Sequence, residues 1–260
     1  IWSEILAKPL TEIDITSSFF VQGGHSLRAV KMEVAIRKAF AKQISLQTIF
    51  TAPSIREIAK QLDSQTDLEV FPEIVPRQNQ TEPTAISYAQ RRLWCIDQLN
   101  QSRCEYHISS VRKGRGNFRP DIAQQAFTQI IERHEVLRTV FTQNHDGEVT
   151  QRVQHDFLFT LKELGLQQFT AEQQELRLNC MIQEEHQQRF CLDADLMLRV
   201  TCVQLAEDEV VIILTTHHIA ADAWSLGILV KEFSAIYSAL LVGQPASLIP
   251  LTVQYRDYAD

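Results

Sequence analysis

The sequence predicts a multidomain chain in which a small all-α bundle of three to four helices precedes a larger mixed α/β body. Three observations predict it. A polar segment over residues 64–83 carries Pro72, Pro76 and Pro83 and shows no sustained period, as a linker does. Before it, apolar residues recur at helical spacing; after it, helical stretches alternate with β-rich runs. Charge divides at the same place: residues 1–63 hold eight Lys/Arg against six Asp/Glu, while the whole chain carries −7, so the remainder is at −9. The predicted division is 1–63, a linker over 64–83, and 84–260.

In the first body, residues 1–7 read as the tail of a helix. Residues 26–42 set Leu27, Val30, Val34 and Phe40 at helical spacing behind a glycine pair, which predicts an amphipathic helix with those residues as its apolar stripe. Residues 45–50 predict one short turn. Pro53-Ser54-Ile55-Arg56-Glu57 is a capping-box sequence opening a helix to about Leu62. A bundle of this size sits near the lower limit for independent folding.

In the second body, Ser87-x-x-Gln90 opens a helix through Leu99, and Pro120 at a first helical position starts another, to about Glu135. Residues 137–141 read as a strand, and His145-Asp146-Gly147 as a turn before a second. Residues 171–190 are helical. Residues 196–205 and 209–216 are β-rich runs joined by Ala206-Glu207-Asp208. A last helix runs from near Trp224 to Val242 and stops at Gly243.

Composition narrows the function classes. The chain has 260 residues, 45% hydrophobic and 22% charged, which is material for a core and not for wholesale disorder. An acidic balance, with pI near 5.6, disfavours nucleic-acid binding, which calls for a basic surplus. No stretch approaches ~18 uninterrupted apolar residues and no signal peptide opens the chain, so no membrane span is expected. Cys95, Cys104, Cys180, Cys191 and Cys202 form no CxxC pair, which predicts reduced thiols, no metal site and a cytoplasmic location. A chain that opens on Ile1 is expected to be a piece of a longer protein.

Phe19-Phe20-Val21-Gln22-Gly23-Gly24-His25-Ser26-Leu27 is the first segment with chemistry in it. Two glycines let the backbone turn sharply. Ser26 follows at a helix N-terminus, where N–H groups and the helix dipole favour an anion. By itself, Gly-Gly-x-Ser is either a plain N-cap or an exposed hydroxyl awaiting a phosphodiester. Gly-x-Ser-x-Gly is absent, which disfavours a hydrolase nucleophile. The full string resembles the core motif of peptidyl carrier domains of non-ribosomal peptide synthetases, and the likeness runs from Ile1-Trp2 to the closing Ser-Ile-x-x-Ile-Ala. It implies that Ser26 carries covalent 4′-phosphopantetheine and that Leu27 and its apolar neighbours form a docking face. The balance of +2 departs from the many acidic carriers, and the expected start of the first helix lies before Ile1.

The second chemical segment is Leu214-Thr215-Thr216-His217-His218-Ile219-Ala220-Ala221-Asp222-Ala223-Trp224-Ser225. The apolar run before it predicts a buried strand. Adjacent residues on an extended chain face opposite ways, so one imidazole can enter a cleft while the other packs inward. A zinc site needs three or four convergent ligands, and Cys202 and Asp222 are unevenly placed for that, so metal: none is the expectation. A core histidine beside a surface one is the plainer reading. His-His-x-x-x-Asp-x-Trp-Ser resembles the active-site motif of condensation domains from the same synthetases, which are related to chloramphenicol acetyltransferase. Residues 87–94 resemble the family's first motif, 133–141 its second, and Tyr255-Arg256-Asp257-Tyr258-Ala259 the start of its fourth. The resemblance implies that 84–260 is the N-terminal lobe of a condensation domain whose C-terminal lobe is not in this sequence. It makes His218 the catalytic histidine, with His217 and Asp222 structural beside it and Arg133 or Arg138 holding Asp222. Trp94 and Trp224 stay core aromatics. Ala223 stands where the family has glycine, a methyl expected to narrow the substrate channel or to meet a positive φ.

Together the resemblances imply amide formation. The amine of an aminoacyl group on one carrier attacks the acyl thioester on another, and the tetrahedral intermediate collapses to the amide with release of the pantetheine thiol, His218 acting as base or as positioner. They imply a phosphopantetheinyl transferase, an adenylation domain and neighbouring carrier and condensation domains as partners, and no nucleic acid. Gly-Gly-His-Ser and Asp-x-Trp-Ser favour condensation over epimerization. The alternatives are a non-catalytic docking platform, or an acyltransferase-like lobe with Ser26 unmodified.

Overall fold

The computed structural model describes residues 1–40, 42, 44–64, 74–77, 82–99 and 104–259. They divide into two units, Ile1–Glu73 and Ile74–Asp260. Most of the linker expected over 64–83 lies outside the described residues.

The first unit is helical: α1 (Trp2–Leu6), a 3-10 turn (Leu10–Glu12), α2 (Ser26–Phe40), α3 (Leu46–Thr51) and α4 (Ile55–Ser64). Local chemistry sets the starts of the last two. The Ser45 hydroxyl accepts from the Thr48 N–H at 3.1 Å. Ser54 and Glu57 bond reciprocally, the Ser54 hydroxyl accepting from the Glu57 N–H at 3.3 Å and the Glu57 carboxylate from the Ser54 N–H at 3.1 Å. Phe19 is wholly buried in a cluster with Trp2, Ala29, Met32, Ile36, Ile49 and Ile58, meeting the Trp2 ring edge-on at 5.1 Å.

The stripe expected on α2 is not its core face. Ala29, Met32 and Ile36 are buried, whereas Val30, Val34 and Phe40 are exposed and Leu27 is half-buried. Both stripes have helical spacing, so periodicity alone cannot say which one meets the core. The two glycines before α2 serve different needs. Gly23 takes φ +101 with open space around it. A Cβ at Gly24 would lie 2.6 Å from the Phe19 backbone oxygen and closer still to its buried ring. The buried Gln22 side chain fastens the loop ahead of them, accepting from the Asp14 N–H at 3.0 Å and donating to the Asp14 and Ser17 carbonyls.

The second unit runs β1 (Thr84–Ala85), α5 (Tyr88–Leu99), β2 (His107–Arg115), α6 (Pro120–Arg133), a 3-10 turn (Glu135–Arg138), β3 (Thr139–Gln143), β4 (Val149–Val153), β5 (Lys162–Gly165), α7 (Ala171–Gln187), β6 (Leu198–Ala206), β7 (Glu209–His217), α8 (Ala223–Leu241) and α9 (Tyr255–Ala259). The larger sheet has the order β2-β7-β6-β5 and the smaller β1-β4-β3. All pairs are antiparallel except β5 with β6.

Period-2 alternation on the central strands builds two cores. Val210, Ile212 and Leu214 of β7 join Val200 and Cys202 of β6 against α6 and α8. Val211 and Ile213 turn to the other face, where Val203 and Leu166 meet Leu178, Met181 and Ile182 of α7. Covered on both faces, β7 reads as a continuous apolar run. Helix α8 is long and apolar enough to cross a membrane by length and composition; here Phe233 stacks on Phe127 of α6 at 4.4 Å.

Sequence reasoning missed β2 and β5. His-Ile-Ser-Ser-Val-Arg-Lys-Gly-Arg has no apolar alternation because β2 is an edge strand, and its nine-residue pairing with β7 holds it. β5 is only four residues long. The strand expected from Leu137 starts at Thr139, after the 3-10 turn. α7 stops short of Phe190, where the Arg199 guanidinium donates to the Glu185, Gln188 and Arg189 carbonyls left open at the helix end.

Gly24→Ala is expected to destabilise the first unit by more than about 2 kcal/mol through the collision with Phe19. Gly23→Ala is expected to cost only about 1 kcal/mol, the penalty of a left-handed φ. Thermal unfolding of the two variants checks the order.

Candidate functional site

The site grows from the place where β7 leaves the sheet. His107 of β2 lies opposite His217 in register, and the next backbone N–H, that of His218, donates to the Tyr106 carbonyl at 2.7 Å. Pleat alternation carries Thr215 and His217 to the α7 side. There the Ser109 hydroxyl bridges to the Thr215 hydroxyl at 3.3 Å and to Nδ1 of His186 at 3.1 Å. His217 is buried, edge-on to His107 at 5.7 Å and to Phe190 at 6.1 Å. Its Nδ1 accepts from the Ile219 N–H at 3.1 Å, so that nitrogen is unprotonated and the ring proton sits on Nε2. Burial, with His107 and His218 alongside, pushes its pKa down to about 4. His107 is lowered too, chiefly by burial. Its Nδ1 lies 2.7 Å from the His186 carbonyl and donates to it.

His218 is exposed. It lines a cleft of about 430 Å³ with Arg92, Leu93, Tyr106, Asp222 and Tyr255. Asp222 caps α8: its carboxylate accepts from the Ser225 N–H at 2.7 Å and from the Ser225 hydroxyl at 2.6 Å. Burial pushes the Asp222 carboxyl up, but the Ser225 hydrogen bonds outweigh it and hold the group below its ordinary range, with His218 adding in the same direction. Ala223, the first residue of α8, is exposed and its φ is not positive, so the methyl meets no backbone strain.

Neither expected arginine holds Asp222. Arg133 donates through Nε to Glu232 at 3.2 Å and through Nη2 to the Ile249 carbonyl. Arg138 donates to the Ile131, Glu132 and Gln154 carbonyls. Both bridge chain segments behind the cleft, and the requirement of Asp222 is met within its own helix.

Residues outside the expected set complete the site. Tyr106 and His107 escaped notice because β2 did. Tyr255 lines the cleft, and its hydroxyl lies 3.0 Å from that of Ser87, the residue that caps α5. Around it, Gln254 bonds the Glu135 N–H and the Arg133 carbonyl, Arg256 pairs with the Glu135 carboxylate at 2.9 Å, and Asp257 accepts from the Arg77 and Gln254 N–H groups. The signal was present in the sequence: 87–94, 133–141 and 255–259 were three matched motifs, and α9 ties them together.

In the first unit, Ser26 is the first residue of α2 and exposed. The helical ladder begins with the Ala29 N–H donating to the His25 carbonyl at 2.9 Å, so the N–H groups of the first turn lie ahead of it. An exposed hydroxyl at such a helix mouth fits a phosphodiester.

Residues 1–62 match the family model described as a phosphopantetheine attachment site, and residues 80–260 that of the condensation domain. Malpibaldin synthetase of Mortierella alpina is 33% identical across all of this chain, which covers 5% of that relative. Bacitracin synthase 2 of Bacillus licheniformis is 31% identical across all of this chain, which covers 9% of it. Among solved structures, the X-domain from teicoplanin biosynthesis in complex with OxyB superposes with a TM-score of 0.65 at 26% identity, over 74% of this chain and 40% of that one. The starter condensation domain of the rhizomide synthetase RzmA gives 0.61 at 21% identity, over 66% of this chain and 41% of that one.

A buried neutral imidazole makes folding pH-dependent. Between about 6.5, the ordinary value, and about 4, the unfolded chain holds a proton on His217 that the folded chain does not. Stability therefore falls as pH drops through that window and levels off below it, with the His217 share on the order of 3 kcal/mol. His107 acts in the same direction. Urea unfolding is expected to show a smaller fall across this window in His217→Gln, which keeps an acceptor for Ile219; an equal fall would assign the dependence elsewhere.

Proposed function

The chain belongs to the condensation domain family and carries a phosphopantetheine attachment domain ahead of it, and we propose that within a non-ribosomal peptide synthetase it joins two carrier-bound substrates through an amide bond. One observation carries the reading: His218 stands exposed in a cleft, fixed by the bond from its N–H to Tyr106, while its neighbour His217 is buried and neutral. We assign His218 as the catalytic residue, which takes or orients the proton of the attacking amine. His217 and Asp222 are positioning residues, the first anchoring the loop through Ile219 and the second starting α8. Arg133 and Arg138 support the segments behind them.

We assign Ser26 as the attachment residue for 4′-phosphopantetheine in a carrier bundle over residues 1–63, with a linker over 64–83 and the condensation lobe over 84–260. When bound, the arm supplies the thiol that holds an acyl group as a thioester. Since a thioester is already activated, the lobe contributes most by bringing two tethered groups together. A tether gives local concentrations of roughly mM, and well-oriented pairs reach effective molarities on the order of 10⁵ M or more. The exposed Val30 and Val34 beside Leu27 form a stripe the core does not use, which supports a docking face for a phosphopantetheinyl transferase, an adenylation domain and neighbouring carrier and condensation domains. Five free cysteines support a cytoplasmic setting.

Incubation with coenzyme A and a broad-specificity phosphopantetheinyl transferase is expected to add one phosphopantetheine to the intact mass of the wild type and none to Ser26→Ala. In the parent synthetase, His218→Ala is expected to slow product formation by about 10²-fold or more. Undiminished product would favour the docking platform.

A further inference from the structure

A second cavity, of about 160 Å³, lies between α6 and α8, walled by Ile130, Leu137, Leu226, Ile228 and Leu229. It shares Val136, Ala220, Ala221, Ser225 and Tyr255 with the lining of the His218 cleft, so the two spaces adjoin. The polar side chains on its lining each hold a partner outside it. His134 at its edge has Nε2 2.6 Å from Glu232, whose other oxygen takes Arg133. The Ser225 hydroxyl donates to Asp222, and the Tyr255 hydroxyl is engaged with Ser87. A charged or amide side chain entering here would lose its water against a mostly apolar wall. An apolar one would lose nothing. An apolar cavity of about 150 Å³ takes up a benzene-sized molecule.

We propose that this pocket receives the side chain of the aminoacyl group presented to His218, selecting branched aliphatic and phenyl side chains over small, polar or charged ones. The proposal rests on reading the cleft as the condensation site, and it adds the substrate class. Leu226 and Ile228 line the pocket and not the cleft, so they determine specificity without touching the reacting atoms.

The test measures, by NMR titration of the full chain, binding of the N-acetylcysteamine thioesters of leucine, phenylalanine, glycine and aspartate. The leucyl and phenylalanyl thioesters are expected to bind about tenfold or more tighter than the glycyl one, in line with the worth of a buried methylene or more, and the aspartyl one no tighter than glycyl. Leu226→Phe, which fills the pocket, is expected to erase the advantage while glycyl binding persists; Ile228→Phe serves should the first variant not fold. Equal binding of all four, or an advantage that survives in the filled variant, overturns the pocket alone. Binding of none overturns the condensation reading with it.

Discussion

Everything at the candidate site depends on one strand, β7, ending where its burial ends. It is paired on both sides and covered on both faces, so its register is strongly specified; a slip of one residue would exchange every side chain between the α7 core and the α6/α8 core. Two adjacent histidines at the last rung are therefore pushed into different environments by geometry alone. His217 follows Val211, Ile213 and Thr215 inward, and His218 falls on the turn beyond the sheet. Desolvation disfavours an imidazolium at the first position, and the Ile219 N–H bond uses the lone pair that neutrality leaves. The loop is thus built on a histidine held neutral by burial, while its neighbour stands exposed in the cleft.

A second dependence runs through α9. Four residues near the end of the described chain, Gln254, Tyr255, Arg256 and Asp257, bind the Arg133–Glu135 corner, the cap of α5 and the backbone of Arg77. The Glu135–Arg256 pair is largely buried, and removing either partner would strand a charge in a desolvated place. The clasp fixes Tyr255, one of the residues common to the cleft and the inner pocket, so both spaces depend on this structural hub.

What was legible in the sequence was what local physics determines. The capping boxes at Ser54 and Ser87, Pro120 at the start of α6 and the apolar run of β7 each carry their own structural reason within a few residues. The motif strings singled out Ser26 and His218, which the fold leaves exposed at a helix mouth and in a cleft. What escaped was what only tertiary context decides. β2 is polar and takes its conformation from nine rungs of pairing with β7. α2 offers two stripes of the same period, and only the fit around Phe19 chooses Ala29, Met32 and Ile36. Arg133 and Arg138 lie in the right motif, but long side chains reach past neighbours, and Glu232 and a set of backbone carbonyls captured them first. Asp222 met its own need from Ser225, three residues on, a pairing the capping pattern Asp-x-x-Ser could have suggested.

The two histidines have opposite fates, and imidazole ¹⁵N shifts of the intact chain test this directly. The result predicted is a His217 ring that stays neutral with its proton on Nε2 from about pH 8 to about pH 5. A His217 that titrates near 6.5, the ordinary value, or that carries its proton on Nδ1, would contradict the buried, bond-accepting role on which the placement of His218 depends.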